Sequence, residues 1–179
     1  MLETISNVSE PLGLPGLRRH RRLRHQVIRI LPYRPQLLFS LVGDVERYPE
    51  FVPWCQSMRV WNRRPVVDSV DQLDAEAGVA FSFLREKFAT RVRRDSNLKT
   101  IEVNLLYGPF RRLQNRWAFS DSPNGCEVRF DIDFEFKAPM LDRILAANFE
   151  PAVSRLMACF EARAKSISPP EPDQPQALA

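Results

Sequence analysis

The sequence is poor in the residues that carry acid–base and metal chemistry. Of its 179 residues only two are histidine, His20 and His25, and both stand near the N-terminus. The rest of the chain therefore has neither a Ser/His/Asp set nor a histidine-based metal site. The three cysteines, Cys55, Cys126 and Cys159, lie far apart, follow no metal-ligand spacing and are odd in number. They read as reduced thiols of a reducing compartment, not as a disulfide framework. No apolar run approaches the roughly 20 residues of a membrane-spanning helix. The six glycines form no phosphate-binding loop. A secretory signal is missing too, because the N-terminal arginines follow the weak apolar part instead of preceding it.

Positive charge is scarcer than the formal +4 suggests. Five of the 26 basic residues and two of the 22 acidic ones lie in residues 1–24, which leaves 21 against 20. The basicity is mostly that segment, with Arg18, Arg19, Arg21, Arg22 and Arg24 clustered at its end. Residues 1–24 read as a disordered extension or as the result of a misassigned start codon; a mitochondrial transit peptide is the competing reading, which Glu3 and Glu10 oppose. Residues 168–179 are proline-rich and polar and read as a disordered tail. The folded domain is expected over residues 25–167.

Within that span the chain is rich in patterned apolar residues. HQVIRIL (25–31) alternates as a strand does. Pro35 suits the first turn of a helix that puts Leu37, Leu38, Leu41 and Val42 on one face. Asp44 is placed to cap a second short helix, closed by Pro49. Six period-two runs follow, from MRVWN (58–62) to CEVRFDIDFEF (126–136), with turn residues at RRP, DSN, YGP and SPNG. In the last run Val128, Phe130, Ile132, Phe134 and Phe136 point one way, while the charged residues between them point the other. Residues 139–167 read as a long helix with Leu141, Ile144, Leu145, Phe149, Val153, Leu156, Met157 and Phe160 in its apolar stripe. The expected fold is α+β, a long C-terminal helix against a curved antiparallel sheet.

Two features ask for an explanation beyond folding. The first is aromatic loading of the inner face, where Phe81, Phe83, Phe88, Tyr107, Trp117, Phe119, Phe130, Phe134, Phe136, Phe149 and Phe160 are expected between sheet and helix. Periodicity alone fits both an ordinary core and a lined cavity. The second is DVERYPEFVPWC (44–55), which crowds Tyr48, Phe51, Val52 and Trp54 into a segment punctuated by Pro49 and Pro53. Loops normally run over a wet surface, so these side chains need something to face.

The order of elements, with YPEFVPWC, LREKFATRV, LLYGPFRRL, NRWAF and LMACFEARA, resembles the coenzyme Q-binding branch of the START-like (polyketide cyclase/dehydrase) superfamily. That branch also includes bacterial proteins described as ribosome association toxins. The resemblance spans roughly residues 25–166. It implies a helix-grip fold whose sheet wraps the long helix around a hydrophobic tunnel, and a ubiquinone-type polyprenyl quinone as bound ligand, with no catalytic cofactor. The implied role is a quinone chaperone or carrier for respiratory electron transport, with transient contact to a membrane surface. Its place would be peripheral to the inner membrane in a bacterial cytoplasm, or the matrix side of the mitochondrial inner membrane in a eukaryote. The residues assigned to tunnel and lid are Tyr48, Phe51, Val52, Pro53, Trp54, Phe83, Glu86, Phe88, Leu105, Tyr107, Trp117, Phe130, Phe134, Phe149, Val153 and Met157. Tyr48, Phe51, Val52 and Trp54 would form a greasy lid; the alternative is a plug at one end of the core.

Glu86 shares a strand face with Leu84, Phe88, Thr90 and Val92. It is either an inward polar handle, able to pair with Arg91 or Arg116, or turned to solvent by a β-bulge. With Tyr107 it would be the only acid–base pair of an enzyme reading that follows from the superfamily's cyclases. Asp131 and Asp133 project from a wet face and read as solvation. A ribosome- or RNA-binding reading rests on the N-terminal arginines and on Arg91, Arg93, Arg94, Arg111, Arg112 and Arg116, expected as one basic face if their strands align. The same face would suit anionic lipid head groups.

Overall fold

In the computed structural model, residues 22–81 and 84–168 are described, residues 81, 84 and 139–149 by their backbone alone. Strand β1 (Leu23–Leu31) is followed by helix α1 (Pro35–Gly43), a 3₁₀ turn (Val45–Arg47) and helix α2 (Tyr48–Phe51). Then come β2 (Cys55–Val67), β3 (Val70–Phe81), β4 (Leu84–Asp95), β5 (Thr100–Tyr107), β6 (Phe110–Ser122) and β7 (Gly125–Phe136), and finally helix α3 (Pro139–Ile167). This is the expected α+β order. The seven strands form one antiparallel sheet in the order β1-β7-β6-β5-β4-β3-β2. The short helices carry the chain from one sheet edge to the other, which places α2 beside the start of β2. Among the described residues no helix is long and apolar enough to cross a membrane.

Alternation decides what the sheet buries. Along β7, Val128, Phe130, Phe134 and Phe136 are buried while Arg129 is exposed, the dry and wet faces expected of that strand. Leu73, Val92, Ile101, Cys126 and Phe130 are among the fully buried side chains, so the centre of the core lies across β3–β7. α1 adds Leu38, Phe39, Leu41 and Val42, with the Phe39 ring 6.3 Å from Phe119. Leu37, expected on that face, is only half-buried, and Phe39 takes the inward position. α3 buries Val153, Met157, Phe160 and Ala164 against the sheet.

Several expectations are corrected. β1 begins at Leu23, so Leu23 and Arg24, assigned to the extension, are strand; Arg22 Nε donates to Asp133 at 2.8 Å and Arg24 lies 3.6 Å from the same carboxylate. Asp44 makes no side-chain capping bond, and Pro49 stands in the first turn of α2 instead of closing a helix. Proline is tolerated there because that turn's N–H has no intrahelical partner. Arg63-Arg64-Pro65 is not a turn but part of β2, an edge strand that accepts Pro65 beside bulges at Trp61/Arg64 and Pro65/Val67. Asn62 takes a left-handed backbone (φ 52°), and its amide donates to Asp74 Oδ2 at 2.9 Å, which holds the bulge. The hairpin turns at 68–69 instead, where Val67 faces Val70.

Candidate functional site

The inner face of the sheet, α3 and the segment around α2 enclose an apolar cavity of about 300 Å³. β3 contributes Ala75, Ala77 and Val79; the small alanines leave the space that Phe88, Phe110 and Phe134 rim from neighbouring strands. β6 and β7 supply Leu113, Asn115, Trp117, Phe130, Ile132 and Phe136, and α3 supplies Leu156 and Phe160. Trp117 lies tilted 4.2 Å from Phe130 and meets Phe160 edge-on at 5.4 Å, ring centre to ring centre. Phe110 meets Phe88 edge-on at 5.3 Å and lies 4.6 Å from Phe136. Offset and edge-on contacts of this kind stiffen a wall beyond the area they bury.

The α2 corner closes one side of the cavity with Val45, Tyr48, Val52, Trp54 and Cys55. The rings of Tyr48, Phe51 and Phe160 meet at 5.3–5.7 Å. The Tyr48 hydroxyl donates to the Val42 carbonyl at 2.6 Å, and burial holds it protonated far above the ordinary range. Glu50 accepts from Arg163 of α3 at 2.7 Å, and that guanidinium lies over the Phe51 ring. The corner is thus fastened to α3 at Tyr48 and Phe51, while Trp54, further along, is only half-buried.

Of the residues assigned from sequence, Tyr48, Val52, Trp54, Phe88, Trp117, Phe130 and Phe134 line the cavity. Phe51 packs behind Tyr48, Pro53 is exposed, and Leu105, Val153 and Met157 pack into the core without lining the space. Phe83, and the side chains of Phe149, Phe81, Leu84, Leu141, Ile144 and Leu145, lie outside the described residues. Tyr107 is a correction. A register shift between Ala89 and Thr90 sets Thr90 against Leu105 and Ala89 against Tyr107, so Leu106 is the extra residue and Tyr107 flips to the outer face. There it is half-exposed and its hydroxyl bonds Glu76, which pushes the phenol pKa up.

Glu86 pairs with Val79 in an unbroken β3–β4 register, so the bulge that would turn it outward is absent from that ladder. It stands half-buried on the cavity side without lining the cavity. Arg91 and Arg116 are committed elsewhere, to Asp74 at 2.9 Å and Glu102 at 3.9 Å. Glu86 and Tyr107 occupy opposite faces and do not assemble as an acid–base pair. Among the described residues no cluster of metal-ligating side chains occurs. All three cysteines are free, and burial pushes the Cys126 thiol up to about 11.

Sequence reasoning passed over Asn115 and Thr90, which both line the cavity. Asn115 sits in phase with Leu113, Trp117 and Phe119 on β6, facing Val103 of β5 and Ile132 of β7. Its amide oxygen is buried and has no hydrogen-bond partner. The alternation of that strand carried the signal, a polar residue at an inward position.

The outer face differs. An open concavity of about 650 Å³ there is lined by residues such as Arg24, Gln26, Glu102, Asn104, Gln114, Arg116 and Asp131. These groups satisfy one another, with Gln26 on Asp131 at 2.6 Å and Gln114 on Asn104 at 3.0 Å, as on a solvated surface. Of the arginines expected on one basic face, Arg91, Arg93, Arg111, Arg112 and Arg116 share the outer side, each within 4.0 Å of a carboxylate, and Arg94 does not. Arg94 turns to the α1 side, where it bonds Asp71 and the Gly43 carbonyl, and Arg93, Arg111 and Arg112 lie 3.7–4.0 Å from Glu102, Glu135 and Asp133.

A curved seven-stranded antiparallel sheet closed by a long C-terminal helix over an apolar cavity is a START-like fold. Residues 31–161 match the family described as polyketide cyclase / dehydrase and lipid transport, and the chain belongs to that family. It is 32% identical over 148 residues to the ribosome association toxin RatA of Rickettsia prowazekii, covering 81% of this chain and 98% of that protein. Over 123 residues it is 32% identical to the mitochondrial coenzyme Q-binding protein coq10 of Schizosaccharomyces pombe, covering 67% and 74%. The solution structure of the 18 kDa protein CC1736 from Caulobacter crescentus is 56% identical, with a TM-score of 0.70 over 81% of this chain and 97% of that one.

Proposed function

We propose that this protein binds a ubiquinone-type polyprenyl quinone in the cavity and carries it, unconverted, for respiratory electron transport. The observation that carries this reading is the character of the lining. Among its described residues it is aliphatic and aromatic apart from Cys55, Thr90 and Asn115, with no charged side chain, so a neutral apolar ring is accepted and an ionised head group is not. At about 300 Å³ the space suits a ring and the first part of a chain, and the rest of a polyprenyl tail leaves past Trp54. That exit puts Trp54 where an aromatic side chain meets a membrane interface. The kinship with a coenzyme Q-binding protein supports the choice of ligand class.

The test is organic extraction of natively purified protein followed by mass spectrometry. Near-stoichiometric isoprenoid quinone is expected. Recovery of no isoprenoid, together with no saturable uptake of a quinone analogue, removes the reading, and conversion of the quinone replaces it with an enzyme. A second reading is favoured by kinship with proteins named for ribosome association, one of them matched over 98% of its length. It predicts co-sedimentation with the large ribosomal subunit, weakening with salt.

A further inference from the structure

Backbone register lines up the polar groups of the outer face across the sheet. One row runs Arg24–Asp133–Gln114–Asn104–Arg91, from β1 through β7, β6 and β5 to β4, and the next runs Gln26–Asp131–Arg116–Glu102–Arg93. With neighbouring strands about 4.8 Å apart, each row is about 19 Å long. Cations and anions are not balanced along it. Arg22, Arg24 and Arg112 share the Asp133 carboxylate, and Arg93 and Arg116 share Glu102, so five guanidinium groups stand on two carboxylates. Asp131, the third carboxylate of the rows, accepts from Gln26 at 2.6 Å. Arg24, Arg93, Arg112 and Arg116 lie 3.6–4.0 Å from their carboxylates, too far for a hydrogen bond, and their side chains are 45–66% exposed. A guanidinium carries five donors and takes a phosphate with two of them at once.

Surplus guanidinium groups in a regular array, with the side-chain amides of Gln26, Asn104 and Gln114 between them, suit a chain of phosphates more than a single anion. We propose that the outer face of the sheet docks on RNA, with Arg24, Arg93, Arg112 and Arg116 on backbone phosphates and the amides on ribose hydroxyls and base edges. An anionic bilayer would be drawn by the same charge. However, α2 and α3 pack on the inner face, so a bilayer against the outer one leaves the Trp54 corner on the far side. Amides that both donate and accept also serve ribose and base edges better than a lipid surface. The proposal rests on the ribosome-association reading, and it adds the chemistry of the partner and the face that meets it.

The test compares two charge-matched double variants of the full chain. Arg93→Gln/Arg116→Gln alters the outer face, and Arg47→Gln/Arg155→Gln alters exposed positions in the 3₁₀ turn and α3. Thermal unfolding checks that both keep the fold. Binding to protein-free large-subunit RNA, to purified large ribosomal subunits and to phosphatidylglycerol vesicles is measured across a salt series. The outer-face variant is expected to bind RNA and subunits about tenfold more weakly, and its log affinity should fall less steeply with log salt. The slope should be shallower by about 1.4 to 1.8, which is about 0.7–0.9 for each of two phosphate contacts. The other variant is expected to match wild type. Equal losses in the two variants, or RNA binding that neither changes, overturns the inference. Subunit binding without RNA binding overturns it and leaves the ribosome reading in place, and binding of neither overturns both. Vesicle binding without RNA binding, weakened in the outer-face variant, gives the face to a membrane surface and overturns the inference as well.

Discussion

On the outer face of the sheet Arg91, Arg93, Arg111, Arg112 and Arg116 each stand within 4.0 Å of a carboxylate, whereas on the inner face the Asn115 amide oxygen is buried with nothing to bond. Both faces belong to the same strands and share one backbone ladder. The outer one is densely charged, and its arginines share carboxylates, Arg93 and Arg116 on Glu102 and Arg22, Arg24 and Arg112 on Asp133. The inner one is mostly apolar, and among the described residues Asn115 stands out there as a buried acceptor without a partner. Polar groups are thus shared on one face and scarce on the other, where a polar atom left unpaired is the exception to explain.

Substitutions that break each face should differ in size. The largest effect is expected for Trp117→Ala, since a buried tryptophan truncated to alanine costs about 3–5 kcal/mol; chemical denaturation measures it. Trp54→Ala should cost less, under about 2 kcal/mol, because the side chain is only half-buried. It should still slow transfer of a quinone between vesicles. A loss as large as that of Trp117→Ala would make Trp54 a plug of the core instead of a gate. Asn115→Leu should go the other way and stabilise the ligand-free protein by about 1 kcal/mol, because an unpaired buried acceptor disappears without loss of volume. A destabilised variant would mean that the amide is paired in solution. On the outer face Arg93→Ala should change stability by no more than about 0.5 kcal/mol, as both partners of its ion pair are well exposed.

The outer face also supplies a pH dependence. Asp74 is buried beneath Arg91 and Asn62, and the hydrogen bond from Arg91 holds its carboxyl below the ordinary value of 3.8. The unfolded chain then takes up the proton first, so the contribution is fully present above that value and lost as pH falls through the lower folded one. Stability measured between pH 6 and about 2 should show this acid loss in wild type and less of it in Asp74→Asn.

Much of this fold is legible because period-two alternation runs through six successive segments and the α3 stripe is long. What is lost comes from single extra residues. Leu106 breaks phase in β5, and nothing in LLYG distinguishes that bulge from continued alternation, so the pattern puts Tyr107 inward. Pro65 reads as a turn because proline usually ends a strand; only an edge position and the Asn62–Asp74 bond make it tolerable. Trp117, Phe130 and Phe134 are found for the cavity because large side chains in phase must face the helix. Val153 and Met157 are assigned to the lining because a helical stripe does not reveal which of its residues meets empty space. Asn115 is in phase and visible, but its meaning depends on having no partner, which only three-dimensional packing reveals.

The three tryptophans allow the two faces to be read in one experiment. Trp117 forms part of the cavity wall, while Trp61 lies on the outer side beneath the Arg59 guanidinium, 5.0 Å from its ring, and opposite Asp74. A Trp54→Phe/Trp61→Phe protein reports from Trp117 alone, and a Trp54→Phe/Trp117→Phe protein from Trp61 alone. Each is titrated with a short-tailed ubiquinone analogue, which quenches indole fluorescence on contact. Saturable quenching of Trp117 with Trp61 unaffected is expected if the cavity holds the ring. Weak, non-saturating quenching of both to the same extent would contradict it.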